Sequence, residues 1–91
     1  MIYQIILSPT AERGMQALKR KEPQAYKKAL LLILELQEHP TTGTGKPEPL
    51  KGNRSGQWSR RISQKHRLVY QIKEEKITVL VLAAYGHYED K

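Results

Sequence analysis

The sequence predicts an α+β domain in the order β-α-α-β-β-β, an antiparallel sheet with two helices packed on one face. Three observations predict it. Apolar residues recur at a helical period in the first half and at a period near two in the second. Prolines at 9, 23 and 40 punctuate the helical half. The chain is 91 residues long, enough for one domain spanning residues 1–91 and short for two.

Residues 2–7 form a short β-rich run that ends at Ser8-Pro9, so an opening strand is expected there. Ser8 can cap a helix whose first position is Pro9, a residue that needs no amide donor at that place. This helix should run to about residue 21, with Ala11, Met15 and Leu18 along one face. Gly14 weakens it by about 1 kcal/mol relative to alanine. Pro23 restarts the pattern, and Ala25, Ala29, Leu32, Ile33 and Leu36 keep a helical period to about residue 38. The two segments read as a helical hairpin.

Pro40 stops the second helix, and residues 41–49 are a Gly/Pro/Thr loop. Residues 58–63 then alternate, 66–72 read as a strand, and 73–76 as a polar turn. Residues 77–84 are nearly all apolar, as expected for a central strand buried on both faces. No repeat, low-complexity stretch or linker interrupts the pattern.

Composition narrows the chemistry. There is no cysteine, which excludes a disulfide framework and thiolate metal sites. His39, His66 and His87 are too far apart in sequence to pair as helical metal ligands, and Asp90 is the sole aspartate, so metal catalysis is not expected and no cofactor is implied. The net charge is +7, from 16 basic and 9 acidic residues, which points to a polyanionic partner, although a solubilising surface would give the same total. The distribution favours the partner. Lys46, Lys51, Arg54, Arg60, Arg61, Lys65 and Arg67 crowd one stretch with Glu48 as its lone acid, and the first six are the candidate RNA-binding residues. The N-terminus lacks the basic region and cleavage site of a signal peptide, and the longest apolar run is too short to span a bilayer. The expected location is the cytoplasm, with no membrane contact.

RNA can be cut without a metal when a general base deprotonates the ribose 2′-hydroxyl. Cationic donors then hold the charge on the phosphorane, and an acid protonates the leaving 5′ oxygen. The C-terminal half contains such a set. Glu48 lies between Pro47 and Pro49, which hold it extended, as suits a base; an ordinary exposed loop glutamate would read the same. Arg61 and Arg67 fall near each other on one face if the hairpin closes around Gln64-Lys65, with Trp58, Arg60 and Ile62 on the opposite parity. Two adjacent guanidiniums repel unless an anion sits between them. His87 can donate a proton near neutral pH, and Tyr88 can stack on a base, although a His-Tyr pair beside a C-terminus can also be a frayed end. Trp58 is expected to pack between sheet and helix. His39 reads as a helix-terminal residue favoured by the dipole, and His66 as a strand-start residue without functional signal.

These residues stand in motifs. GKPEPLKG at 45–52, SGQWSRRI at 55–62, HRLVY at 66–70 and GHY at 86–88 resemble the signature of the YoeB/Txe toxins of the RelE/ParE superfamily. The likeness is dense from residue 43 to 70 and resumes at 86–88; the N-terminal half shares only its strand-helix-helix plan. It implies a microbial RNase-like fold, cleavage of mRNA in the ribosomal A site, and inhibition by a cognate antitoxin of the YefM/Axe kind. It also allows a homodimer. By motif, Glu48 falls on the family's general base, His87 on its general acid, Arg67 on the phosphate-stabilising arginine and Tyr88 on the tyrosine beside the cut. Lys51 and Arg61 match basic residues of the same pocket. Two departures stand out. Glu89-Asp90-Lys91 follow the His-Tyr pair, and Ala84-Tyr85-Gly86 replaces a more basic approach to it. Two other functions would keep the same architecture: a ParE-like toxin acting on DNA gyrase, which would not need Glu48, Arg67 and His87, and a basic RNA-binding module that docks without cutting.

Overall fold

The computed structural model describes residues 2–51 and 56–86. Strand β1 (Gln4–Leu7) leads into helix α1 (Pro9–Lys21), and helix α2 (Pro23–Leu36) follows after the single residue Glu22. A two-residue strand β2 (Glu48–Pro49) precedes β3 (Gln57–Arg61), β4 (Arg67–Lys73), a 3-10 turn (Glu74–Lys76) and β5 (Thr78–Ala83). The five strands lie in the order β1-β5-β4-β3-β2.

The α+β plan and the two helices match the expectation, and the sheet corrects it in one respect. From β5 through β4 and β3 to β2 the pairing is antiparallel, but β1 runs parallel to β5, with Ile5 opposite Val79 and Leu7 opposite Val81. The reason is the helical hairpin: it carries the chain out and back between β1 and the rest, a crossover long enough for a parallel partner. The strand β2 is also additional to the expected set, since two residues between prolines leave no alternation to read.

Alternation places one set of side chains against the helices. Ile5, Leu7, Trp58, Leu68, Tyr70, Ile72, Val79 and Val81 share that face and meet Ala11, Met15 and Leu18 of α1 and Ala25, Ala29, Leu32 and Leu36 of α2. The opposite parity, with Glu48, Ser59, Arg61, Arg67, Val69, Gln71 and Leu80, faces away from the helices. Strand β5 is central as expected, but Leu80 and Leu82 on this open face are half-buried, so burial is complete on the helix side only.

Ser8 joins two elements. Its hydroxyl oxygen accepts from the Ala11 N–H at 3.1 Å, capping α1, and donates to the Leu82 carbonyl at 3.0 Å. Ser8→Ala removes both bonds, and a loss of about 1–2 kcal/mol in chemical denaturation is expected, with no change in m-value.

Gly14 has a packing reason set against its helix cost. A Cβ there would stand 3.1 Å from the Tyr85 Cβ and 3.2 Å from the Tyr85 nitrogen, so the bare glycine lets the segment after β5 lie against α1.

Candidate active site on the open face of the sheet

The turn after β3 closes symmetrically enough to place Arg61 directly opposite Arg67. Arg61 is exposed and Arg67 half-buried. Opposed residues in an antiparallel pair bring their Cβ atoms to about 4.5–5.5 Å, so the two guanidinium stems rise side by side. Among the described residues Arg60 pairs with Glu35 and the His66 ring hydrogen-bonds Glu22, and neither Arg61 nor Arg67 has a carboxylate partner.

Glu48 belongs to the same face. It pairs with Ser59, which in turn pairs with Val69, two residues along β4 from Arg67. Two strand spacings and a two-residue offset put the Glu48 and Arg67 Cα atoms about 12 Å apart on this face. The loop that delivers Glu48 is held against β3: the Arg61 N–H donates to the Gly45 carbonyl at 2.7 Å, and the Leu50 N–H to the Gln57 carbonyl at 2.9 Å. Lys46 turns the chain into this segment with a left-handed backbone, φ 52°, an uncommon conformation for a residue with a Cβ. Lys46 and Lys51 are exposed on either side of Glu48. Lys65 is exposed in the turn between β3 and β4, where its charge helps lower the pKa of Glu22. It therefore keeps company with the helix junction. Arg54, His87 and Tyr88 lie outside the described residues.

Arg60 is a correction. Expected among the RNA-binding residues, it is fully buried on the helix side of β3. Its Nε donates to the Tyr70 hydroxyl at 3.0 Å, and its terminal nitrogens donate to the Glu35 carboxylate and to the carbonyls of His39, Thr42 (2.8 Å) and Thr44 (3.2 Å). The Tyr70 hydroxyl donates onward to the Pro40 carbonyl at 2.8 Å. Every donor is spent on Tyr70 of β4, Glu35 of α2 and the loop after α2, so no phosphate can reach this guanidinium. Burial works against ionisation of Glu35. Hydrogen bonds from the Thr44 amide and hydroxyl and from Arg60 outweigh that and hold its pKa below the ordinary carboxylate value.

His66 is the residue that reading the sequence missed. It is 3% exposed and uses both ring nitrogens. Nε2 lies 2.6 Å from a Glu22 carboxylate oxygen, and Nδ1 accepts the Gly86 N–H at 2.8 Å. The neighbouring Arg67 N–H donates to the Gly86 carbonyl at 3.0 Å, and the Tyr85 ring lies against the imidazole at 4.5 Å between centroids. Glu22, the lone residue between the two helices, has a lowered pKa chiefly because of its hydrogen bond to His66. A histidine beside a predicted turn carries no spacing that would have shown partners 44 and 20 residues away.

Comparison with known proteins follows the same motifs. The family model for the YoeB-like toxin of bacterial type II toxin–antitoxin systems matches residues 11–88. Toxin YoeB of Escherichia coli K12 is 48% identical over 67 residues, 74% of this chain and 77% of that toxin. Toxin YoeB of Mycobacterium bovis is 55% identical over 57 residues, 63% of this chain, and the matched stretch spans 65% of that toxin's length. Among solved structures, the YoeB/ParE toxin from Agrobacterium tumefaciens superposes with a TM-score of 0.87 at 32% identity, covering 93% of this chain and 99% of the other. The YoeB dimer and the YoeB–YefM complex from Staphylococcus aureus give 0.82 and 0.80, each at 30% identity and covering 97% of this chain and 100% of the other.

Proposed function

This chain belongs to the YoeB-like toxins of bacterial type II toxin–antitoxin systems, and on that premise we propose that it is an endoribonuclease that cuts messenger RNA in the ribosomal A site without a metal ion. The observation that carries the reading is the pair Arg61 and Arg67, opposed across one hairpin without a carboxylate partner among the described residues, on the face that also presents Glu48. Like charges set directly opposite are destabilising, and an anion bound between them turns that cost into affinity.

In the proposed reaction Glu48 takes the proton from the ribose 2′-hydroxyl, whose oxygen attacks the adjacent phosphorus. Arg67, with Arg61 opposite it and Lys51 contributed by the segment after β2, holds the charge that gathers on the phosphorane oxygens. His87 gives its proton to the departing 5′ oxygen, and Tyr88 stacks on the base next to the cut. The products are a 2′,3′-cyclic phosphate and a free 5′-hydroxyl. Arg54, Lys46 and Lys65 contribute charge toward the nucleic acid, and the reaction takes place in the cytoplasm. Among the described residues no helix is long and apolar enough to cross a membrane.

The proposed protein partner is a YefM/Axe-like antitoxin with an acidic or apolar segment that folds as it covers the basic face. The staphylococcal YoeB–YefM complex supports it, and the staphylococcal YoeB dimer supports self-association of the free toxin. The test is primer extension on a defined mRNA held by ribosomes with an empty A site, followed by end-group analysis. Discrete A-site cuts ending in a 2′,3′-cyclic phosphate are the expected outcome. Intact mRNA together with inhibition of gyrase supercoiling would overturn the reading.

A further inference from the structure

The imidazole of His66 is buried and committed in two opposite senses, and burial of such a group without partners would be costly. Because Nδ1 accepts the Gly86 N–H, it carries no proton. The ring proton is then on Nε2, where it donates to Glu22. Glu22 thereby selects the tautomer, and the tautomer selects the bond to Gly86. The second backbone group of Gly86, its carbonyl, is taken by the N–H of Arg67. Both polar groups of one peptide position are therefore held by consecutive residues at the start of β4, one of them Arg67 itself. Gly86 has φ +82°, in the left-handed region, and a Cβ there would meet nothing within 4 Å, so backbone conformation and not space selects glycine. The next residue in the chain is His87.

We propose that Glu22 and His66 are positioning residues for cleavage: through a fixed imidazole tautomer they register Gly86, the residue that precedes His87 in the chain, against Arg67. This rests on the reading in which Arg67 and His87 act on one phosphate. The pair reaches from the junction of the two helices to the end of the sheet, so the placement of Gly86 relative to the phosphate-binding arginine is set by the helical layer. A misplacement of about 1 Å in such a constellation costs about 100-fold in rate.

The test separates the two ring nitrogens. In His66→Asn the side-chain oxygen stands near the place of Nδ1 and can still accept the Gly86 N–H. In His66→Gln the amide reaches toward Glu22 and leaves Gly86 without an acceptor. Amide hydrogen exchange at Gly86 and single-turnover cleavage on programmed ribosomes are measured for both, and for Glu22→Gln, which keeps an acceptor for Nε2–H. Expected results are rapid exchange at Gly86 and a cleavage rate lowered about 10- to 100-fold in His66→Gln, with ribosome affinity unchanged. His66→Asn and Glu22→Gln should keep the protection and recover most of the rate. Equal protection and equal rates in His66→Gln and wild type would overturn the proposal, as would losses in Gln and Asn that simply track melting temperature. If the wild type cuts no mRNA, the functional reading falls, and Gly86 exchange alone still decides whether the clamp exists.

Discussion

Arg67→Met will lower the single-turnover rate of mRNA cleavage by about 10²- to 10³-fold while the melting temperature holds or rises by a few degrees. The rate loss is that of removing one preorganised donor to a developing oxyanion. Methionine keeps most of the apolar stem of the half-buried arginine, and loss of one charge relieves the repulsion with Arg61 across the hairpin, about 0.2–1 kcal/mol. In a domain of this size that is up to several degrees. Activity and stability moving in opposite directions is the signature of a site held against its own electrostatics. Glu48→Gln on the exposed edge should leave stability unchanged and cost about 10²–10⁴ in rate if the carboxylate is the base. Cleavage by Arg67→Met at the wild-type rate, or a loss explained by unfolding, would remove this face from the mechanism.

The opposite behaviour is expected from the next residue pair in the sheet. Arg60→Met takes their guanidinium donor from the carbonyls of His39, Thr42 and Thr44 and leaves the partly exposed Glu35 carboxylate to Thr44 alone. Breaking a fully buried ion pair from one side costs about 3–5 kcal/mol; with the Glu35 side chain 28% exposed the loss falls toward the lower value, still a large part of the roughly 5–15 kcal/mol that stabilises an ordinary domain. Urea denaturation should show the midpoint collapsing, with RNA binding lost only in proportion to unfolding. Glu35 predicts the pH dependence. Its folded pKa is depressed, so its contribution is present above the unfolded pKa and is lost as pH falls through the lower folded value. Glu35→Gln should flatten that acid limb, and an unchanged pH profile would show that the Arg60–Glu35 pair does not govern it.

Much of the architecture was legible because it follows from period and punctuation. Ser8 and Pro9 start α1 as their chemistry requires, and Pro23 restarts α2. The pairing of Arg61 with Arg67 follows from a turn of known length. What failed to show were contacts that depend on distant segments. The parallel partner of β1 is chosen by the crossover, and β2 is too short to alternate. Arg60 and Arg61 are neighbours with the same charge, and parity alone sends one into the core and the other to solvent. Parity did separate them on the hairpin; what was missing was Glu35, which makes burial of a guanidinium tolerable. The Glu22–His66–Gly86 chain was invisible for the same reason, since its members are scattered over the whole length.

The two-residue strand beside β3 is the outermost of its side of the sheet, and outermost strands invite foreign strands to add on. Here Pro49 offers no N–H to a newcomer, and Pro47 just before it offers none either. The rings that stiffen Glu48 therefore also blunt this border against aggregation. Among the described residues the far border of the sheet is β1, whose strand residues include no proline.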